Sequence, residues 1–572
     1  MSSRNWVWCC FVLMALLGPD NANAQWPAAP TVGAPVCTAT GSQDAPVVLD
    51  DGSGGAWFAW IDRRGGYPQA RPYVQHLSRY GTPLLAIDGV AVSSANASTD
   101  FPALARRGAD GGVIVVWRDF RADTAGNLYA QALSATGELE WAPQGVIVSL
   151  GANHETTPVA LSDGASGAIV AWRDDRAGSN TDIRAQRLDA NGSAMWDMDG
   201  VAMGAVPAQR SNPNLAAIPG APGSVVVGWT ELVGSQFNAF VQRLGPDGAS
   251  QWVFTGVRLS SSNAYVTLQG LTPDRGGGVY ATLLDGRSLN TWMQAYVQHV
   301  AGNGSVLWAA DGVGLSGATW PVYDVLSCTD GSDGVFFTWR AYENNGYHRL
   351  FAAHMDSLGG VLASAPVERV GEGSGWLGYS LSPGLEGEAL LAWNAPGAQN
   401  YAIFAQRIDS AVNRQWPQGG VTLSNSTNVD YHPRVVPDSR GGAIIGWLEY
   451  SPTYVSDIYA QRVDRDGMPG TAMVPTPPTA AHMALRVAPM PVRRGSQVQV
   501  RWTQSVAGSA RVSVLDLSGR RLAELPAAWR GSGECEVTWD LRPARGATLR
   551  PGLYLLQVES AGRSASARLV VE

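Results

Sequence analysis

The sequence predicts an all-β protein: an eight-bladed β-propeller with four-stranded blades of about 55 residues, closed by the N-terminal strand, followed by a small C-terminal β-sandwich. Three observations predict this fold class. The chain has 67 Gly and 22 Trp among 572 residues and lacks long amphipathic helical patterns, which favours short strands joined by turns. One pattern recurs eight times along most of the chain. The final part, about 90 residues, has a different spacing of alternating strands.

Every repeat contains a short apolar run that ends in an anchor residue, usually Trp. These runs are rich in β-branched and aromatic residues and are bounded by Gly, Asp, Asn or Pro, which is typical of strands. The anchors stand 54 to 57 residues apart and are Trp60, Trp117, Trp172, Trp229, Leu283, Trp339, Trp393 and Trp447.

A second strand follows each anchor and carries a recurring glutamine, which Ala353 replaces in the sixth repeat. Most of these glutamines are followed by a second Trp, a Gly-Val pair, a short strand and a polar loop that leads to a Pro. Four strands per repeat indicate a propeller blade, since one such sheet cannot bury both faces alone. An open β-solenoid is the alternative architecture. The glutamines are Gln75, Gln131, Gln186, Gln242, Gln298, Gln406 and Gln461.

The two ends of the repeat region indicate a closed ring. The eighth repeat stops at "VDRDGMPG" without its second Trp and last strand. The segment "QWPAAPTVGAPVCTATGSQDAPVV" near the N-terminus parallels "QWPQGGVTLSNSTNVDYHPRVV" of the seventh repeat, so Trp26 and Val36 supply the missing parts. We therefore predict a propeller over residues 25–470, with its last blade completed by the N-terminal strand.

The first 24 residues are predicted to be a signal peptide. Arg4 precedes the apolar run "WVWCCFVLMALLG", and "ANA" forms a small-x-small cleavage site. A retained membrane anchor is the alternative, and no integral membrane span is expected after cleavage. The remaining cysteines, Cys37, Cys328 and Cys535, fit neither a disulfide framework nor a zinc site and are predicted to be buried apolar residues.

Residues 471–484 form a Pro-rich linker, and residues 485–572 read as a β-sandwich of alternating strands. The runs "ARVSVLDLSGRRLAEL" and "PGLYLLQVES" resemble the Ig-like C-terminal module of secreted bacterial proteins. That module is similar to the type IX (Por) secretion sorting domain and to the flagellar hook-capping, FlgD-like Ig-like domain. The resemblance implies a sorting or attachment module that meets the export or outer-membrane machinery. It places the protein outside the cell or on the outer surface of a Gram-negative-type bacterium. The propeller repeats resemble those of secreted bacterial proteins of unassigned function.

A carboxylate recurs at the second position after the anchor in six of the eight repeats, and an arginine often follows two positions later. A catalytic pair is normally unique in a fold, so this repetition favours a structural role at the turn. A weak ligand site in each blade and a catalytic role are the alternatives. The carboxylates are Asp62, Asp119, Asp174, Glu231, Asp285 and Glu449, and the arginines are Arg121, Arg176 and Arg287.

The loops between the anchor and the glutamine vary in length, while the glutamine-to-Trp spacing stays constant. One face of the propeller is therefore predicted to be variable, and binding usually occurs on variable loops of a rigid scaffold. The connectors between blades belong to the same face. They carry His154, Glu155, Asp430 and His432 as candidate ligand-face residues, although ordinary solvated loop residues are the alternative.

No Ser/His/Asp, Cys/His or phosphate-binding motif stands out, and the Asp-box of sialidase-like propellers is absent from the sequence. We expect no metal and no cofactor, and read "DANG" at Asp189 as a hairpin turn rather than a calcium loop. The net charge of −8 argues against nucleic acid as a partner. The sequence predicts a non-enzymatic, secreted or cell-surface scaffold that binds a glycan, a protein or a surface polymer. A polysaccharide hydrolase or lyase and a purely structural surface-layer component are the alternatives.

Overall fold

The structure is a computed structural model. It describes residues 26–27, 33–66, 69–95, 97–108, 110–122, 124–149, 155–177, 180–204, 208–287, 292–317, 320–343, 346–372, 378–470, 485–488, 490–493, 496–504, 508–516, 520–530, 533–542, 549–560 and 563–572. The predicted signal peptide and the predicted linker lie outside these residues. The chain divides into two compact units, Met1–Ala472 and Met473–Glu572.

The described residues are all-β and contain no helix. Those of the first unit form eight four-stranded antiparallel sheets. Their strands, in chain order, are β1 (Ala34–Cys37), β2 (Gln43–Asp50), β3 (Ala56–Asp62), β4 (Arg71–Leu77), β5 (Val90–Ala91), β6 (Thr99–Arg107), β7 (Gly112–Asp119), β8 (Asn127–Leu133), β9 (Val146–Ser149), β10 (Glu155–Ser162), β11 (Ala168–Ala177), β12 (Asn180–Leu188), β13 (Val201–Ala202), β14 (Arg210–Ala217), β15 (Val225–Val233), β16 (Gln236–Leu244), β17 (Val257–Arg258), β18 (Val266–Pro273), β19 (Val279–Asp285), β20 (Gln294–Val300), β21 (Val313–Gly314), β22 (Val322–Thr329), β23 (Val335–Tyr342), β24 (Tyr347–Met355), β25 (Val361–Glu372), β26 (Tyr379–Pro383), β27 (Ala389–Pro396), β28 (Tyr401–Ile408), β29 (Val421–Thr422), β30 (Val429–Pro437), β31 (Ala443–Tyr450) and β32 (Ser456–Val463).

Seven of these sheets are simple up-and-down meanders of four consecutive strands, sheet 1 being β2–β5 and sheet 7 being β26–β29. Sheet 8 has the order β1-β32-β31-β30, so the N-terminal strand is its outer strand. The first strand of each sheet packs beside those of its neighbours, and β30 of sheet 8 packs beside β2 of sheet 1. This all-β arrangement of four-stranded sheets is consistent with a β-propeller.

The second strand of each sheet holds the anchor and is almost completely buried, as in β3 and β7. Its apolar residues pack against the neighbouring sheets, and each Trp anchor needs space beside it. At Gly89 of sheet 1, a Cβ would lie 2.5 Å from the ring of Trp60, and the backbone φ is +79°. A glycine at this position therefore provides both the close approach and the left-handed turn.

The second unit contains seven described strands in two antiparallel sheets, ordered β33-β34-β37 and β36-β35-β38-β39. One apolar cluster, which includes Val500, Trp502 and Leu556, is shared by the two sheets. The strands are β33 (Arg486–Ala488), β34 (Val498–Gln504), β35 (Gly508–Leu515), β36 (Arg521–Arg530), β37 (Gly533–Trp539), β38 (Gly552–Ser560) and β39 (Arg563–Val571).

The cysteines Cys37, Cys328 and Cys535 are free thiols and are buried. Burial raises the pKa of the Cys37 thiol to about 12. Burial also raises the pKa of the Cys328 thiol, so Cys37 and Cys328 remain protonated and act as small core residues rather than nucleophiles.

Candidate functional site

The recurring carboxylate after the anchor forms a compact corner in sheet 1. Asp62 accepts a hydrogen bond of 2.8 Å from the indole Nε1 of Trp60 and one of 2.7 Å from Arg64. The Arg64 guanidinium also lies 4.0 Å from the centroid of the Tyr73 ring and donates to the carbonyl oxygen of Asp88 at 2.7 Å. The corner joins the second strand, the third strand and the turn before the fourth.

Other sheets repeat this corner with variations. The indoles of Trp117 and Trp229 donate to Asp119 and Glu231, both at 3.0 Å. In sheets 2 and 5 an arginine again binds the carboxylate and covers a tyrosine ring, the pairs being Asp119–Arg121 and Asp285–Arg287.

Sheets 3 and 8 depart from this pattern. The carboxylate of Asp174 lies 3.4 Å from Nε of Arg184, which takes the place of the tyrosine. The predicted partner Arg176 has a side chain outside the described part of the structure. In sheet 8, Glu449 accepts a hydrogen bond of 2.9 Å from the amide of Asn428.

The recurring glutamines clamp the third strand to the segment that leads to the fourth. In sheet 3 the Gln186 Nε2 donates to the carbonyl of Asp197 at 2.7 Å. Its Oε1 accepts from the backbone N–H groups of Arg187 and Trp196 at 2.9 and 3.0 Å. The side chains of these glutamines are fully or almost fully buried. The same contacts recur at Gln131, Gln242 and Gln406.

A second repeated contact was not predicted from the sequence: a histidine directly after the glutamine position binds an aspartate. In sheet 6 the His354 Nε2 lies 3.0 Å from Asp330, and Nδ1 lies 2.9 Å from the carbonyl of Ser410 in the next sheet. His76 and His299 make equivalent contacts in sheets 1 and 5. Burial acts to raise the pKa of Asp330, but the hydrogen bonds from His354, Ser332 and Gly334 together lower it. The recurring Asp-x-x-x-Gly spacing before the second strand is the signal that could have found it.

The candidate ligand-face residues have different environments in the structure. Glu155 and Asp430 are completely buried on β10 and β30 rather than in connecting loops. Glu155 accepts a hydrogen bond of 2.8 Å from the backbone N–H of Leu128 and lies opposite Asp174. His432 is partly exposed on β30. His154 lies outside the described residues.

Asp430 lies opposite Glu449 in the sheet, so two acidic side chains are neighbours. Burial is the main cause that raises the pKa of Asp430 to about 8, and the negative charge of Glu449 adds to it. Ser424 and Trp447 act in the opposite direction. Since Asp430 is completely buried, a polymer at the surface does not reach its carboxyl.

A cleft lies beside these residues, between sheets 7 and 8, and is here called the tyrosine cleft. It encloses about 480 Å³ and is lined by Asn400, Thr427, Asn428, Val429, Tyr431, Tyr450, Ser451, Pro452 and Tyr454. None of these lining residues carries a formal charge. All of them belong to connectors between sheets or to anchor-to-glutamine loops and their adjoining strand ends, which is the face predicted to be variable.

The aromatic rings of the tyrosine cleft have a defined arrangement. The ring centroid of Tyr431 lies 5.8 Å from that of Tyr401 and 5.9 Å from that of Tyr450. Burial raises the pKa of Tyr431 and Tyr450, so both phenols remain protonated hydrogen-bond donors. Two partly buried rings therefore form a wall beside the exposed loop.

Tyr454 stands at the tip of the loop that closes the cleft and is 85% exposed. Its φ is +60°, a left-handed conformation that a tyrosine rarely adopts. The loop is held by hydrogen bonds from Tyr454 N and Val455 N to Ser451, at 2.9 and 3.2 Å. A large aromatic side chain is thus held out in solvent by a strained backbone, which is typical of a binding position.

A second pocket, here called the channel pocket, is formed where the first strands of sheets 1, 2, 3 and 8 meet. It encloses about 380 Å³ and is lined by Asp44, Ala45, Pro46, Val47, Phe101, Pro102, Thr157, Pro158, His432, Arg434, Leu448 and Tyr450. Because Tyr450 borders both cavities, the channel pocket and the tyrosine cleft are adjacent.

The tyrosines of the cleft were not predicted from the sequence. Asp430 and His432 were predicted as candidates, whereas Tyr431 between them was not. A signal for the other two tyrosines lies in the segment "LEYSPTYVS" of sheet 8. This segment stands where sheets 1, 2 and 5 have the Asp-x-Arg corner. A search for residues that depart from the repeat would have found Tyr450 and Tyr454.

The described residues contain no group of three or more His, Cys, Asp or Glu side chains that could hold a metal ion. Within the same part of the chain, no helix is long and apolar enough to cross a membrane.

The fold and these cavities define an all-β, propeller-like protein with an aromatic cleft on its loop-bearing face. No protein-family model matches the sequence, and no curated protein gives a significant match. Among solved structures, the BP39L lectin from Burkholderia pseudomallei is 11% identical with a TM-score of 0.43, covering 68% of this chain and 100% of the lectin.

Two further solved structures are similar over most of their length. The β-propeller domain of the Trilobed protease from Pyrococcus furiosus is 9% identical with a TM-score of 0.36, covering 64% of this chain and 95% of that domain. PorZ, a surface component of the type-IX secretion system of Porphyromonas gingivalis, is 9% identical with a TM-score of 0.24, covering 96% of this chain and 100% of PorZ. The functional conclusion therefore depends on the residues of this chain.

Proposed function

We propose that the first unit is a closed eight-bladed propeller that binds a glycan chain in the tyrosine cleft. The observation that carries the proposal is the combination of Tyr431, Tyr450 and Tyr454 with amide and hydroxyl side chains in a cleft lined by uncharged residues. The protein acts as a binding scaffold rather than as an enzyme.

A neutral sugar ring suits this chemistry. Its C–H faces pack on aromatic rings, and aromatic side chains supply large contact areas at little entropic cost. Its hydroxyl groups both donate and accept, as do the side chains of Asn400 and Asn428. The cavity volume lies within the range of small-ligand sites, roughly 300–1,000 Å³. An extended protein partner would instead need an interface of about 800 Å² on each side.

Tyr454→Gly tests the proposal. Glycine accepts a φ of +60° without strain, so the variant should fold with an unchanged or slightly higher Tm. The same change removes the exposed aromatic ring, and we expect glycan affinity to fall about tenfold or more. Binding of the full mature chain to an array of neutral and acidic glycans, alongside thermal unfolding, measures both effects.

Phe254→Ala is the matched control for this variant. Phe254 is an aromatic residue that is 64% exposed, and it lies in the connection between β16 and β17, at the opposite end of the sheets. Its removal should leave glycan binding unchanged. If the wild-type chain bound no glycan on the array, or if Tyr454→Gly and Phe254→Ala had equal effects, the proposal would be rejected.

We further propose that residues 485–572 form a β-sandwich that sorts or attaches the secreted protein at the cell surface. The support is a separate compact unit with its own apolar cluster, together with the "LDLSGRRL" and "PGLYLLQV" runs. Deletion of residues 485–572 should move the protein from the cell surface to the periplasm or the medium, as measured by fractionation. Unchanged surface display of the truncated, folded protein would contradict the sorting role.

A further inference from the structure

The channel pocket differs from the tyrosine cleft because it contains an arginine, Arg434, that pairs with no carboxylate of the described residues. Arg434 is exposed at this pocket, and its only hydrogen bond among the described residues goes to the carbonyl of Pro433 at 3.2 Å. Desolvation by the pocket walls lowers the pKa of Arg434, yet a guanidinium remains charged at neutral pH. An accessible guanidinium that no carboxylate neutralises attracts an anion.

The other charged groups of the channel pocket do not cancel this cation. Asp44 lines the same pocket, but its Oδ2 is paired with Nε of Arg63 at 2.6 Å. His432 is kept neutral, since burial and the positive charge of Arg434 both lower its pKa. A neutral imidazole still offers a hydrogen bond beside Arg434. The pocket therefore carries one excess positive charge.

Arg434 is also a departure from the repeat. In five sheets the first strand has a left-handed residue directly before a proline, at Ala45, Phe101, Thr157, Asn212 and His432, with φ between +50° and +55°. In four of these sheets the left-handed residue lines the channel pocket, at Ala45, Phe101, Thr157 and His432. The residue after the proline is uncharged in the other four sheets, at Val47, Ala103, Val159 and Asn214. Arg434 is thus not needed for the left-handed conformation.

We propose that the channel pocket is an anion subsite, in which Arg434 and His432 hold the carboxylate of an acidic sugar whose neighbouring residues occupy the tyrosine cleft. This proposal rests on the proposed glycan binding and specifies the class of glycan, a uronate-containing polysaccharide. Tyr450 borders both cavities, so one chain passes from the aromatic wall to the cation. A guanidinium binds a carboxylate through two parallel N–H donors, which gives specificity as well as affinity.

The test compares two ligands that differ only in charge: oligogalacturonate and the same oligosaccharide after reduction of its carboxyl groups. The full mature chain should bind the acidic form about tenfold more tightly at low salt, and the preference should shrink as ionic strength rises. Arg434→Gln should remove the preference while leaving affinity for the reduced form unchanged. Arg434→Lys should keep part of the preference for the acidic form, because lysine has the positive charge but lacks the bidentate geometry of arginine.

Arg440→Gln is the matched control, because Arg440 is exposed in the turn at the other end of sheet 8 and its loss changes net charge equally. It should leave the preference intact. Equal wild-type affinity for both ligands, or a preference that survives Arg434→Gln, would overturn the anion subsite without affecting the glycan proposal. Weaker binding of both ligands by Tyr454→Gly, together with loss of the acidic preference alone in Arg434→Gln, would support both proposals. If the wild-type chain bound neither ligand, the uronate proposal would be rejected, whereas the array decides the glycan proposal itself.

Discussion

At the scale of single residues, Asp430 is a carboxyl that the fold keeps largely protonated at neutral pH. Its pKa is raised to about 8, whereas an aspartate in an unfolded chain has a pKa near 3.9. Between these values the folded state holds a proton that the unfolded state has released. The contribution of Asp430 to the free energy of unfolding is therefore fully present below about pH 4 and is lost as pH rises toward about 8.

Asp430→Asn tests this assignment. Asparagine keeps the shape of the side chain but cannot ionise, so the variant should lose the part of the pH dependence that comes from residue 430. We expect the free energy of unfolding of the wild type, relative to the variant, to fall as pH rises from 5 to 8, by at most about 1.4 kcal/mol per pH unit. Urea denaturation at several pH values measures it. The exposed Asp466→Asn should not change the slope, and parallel curves for wild type and Asp430→Asn would refute the raised pKa.

At the scale of structural elements, repetition decided what the sequence could predict. A Gln that recurs ten residues before a Trp is expected to have one role in all the repeats that carry it, and the structure gives each of these glutamines a buried clamp such as that of Gln186. The spacing could locate this device but not its contacts, because its acceptors are backbone groups that carry no sequence signal. The His354–Asp330 contact was harder to find, since arginine replaces the histidine at Arg187 and Arg462, which pair with Asp163 and Asp438.

The candidate site was less predictable than the elements for a physical reason. Tyr431 belongs to β30, Tyr450 ends β31 and Tyr454 lies in the loop after it, whereas Asn400 comes from sheet 7. These residues meet only when two neighbouring sheets pack together, and none of them recurs from repeat to repeat. Titratable residues were predicted as candidates instead. The structure describes three of them, and two of these three, Glu155 and Asp430, are buried.

At the scale of the whole molecule, closure of the first unit depends on a contact between its two ends. β1 pairs with β32 in an antiparallel register that places Ala34 opposite Ala460. Gln461 donates to the carbonyl of Pro27 at 2.9 Å, and Trp26 donates to the carbonyl of Arg79 in sheet 1 at 2.9 Å. The N-terminal segment thus connects sheet 8 to sheet 1 and covers the edge of β32, which would otherwise be free to pair with another chain.

The double variant Ala34→Cys/Ala460→Cys tests this closure. Directly opposed residues of an antiparallel pair have Cα atoms about 4.5–5.5 Å apart, which a disulfide can bridge. Oxidation should produce a faster-migrating monomer on a non-reducing gel and raise stability by about 2–4 kcal/mol, because the bond closes a very long loop in the unfolded chain. Thr453 is exposed in a loop, so Ala34→Cys/Thr453→Cys should not cross-link under the same conditions. An open array would hold the two ends apart, and failure of the Ala34–Ala460 pair to cross-link in the folded protein would exclude the closed ring.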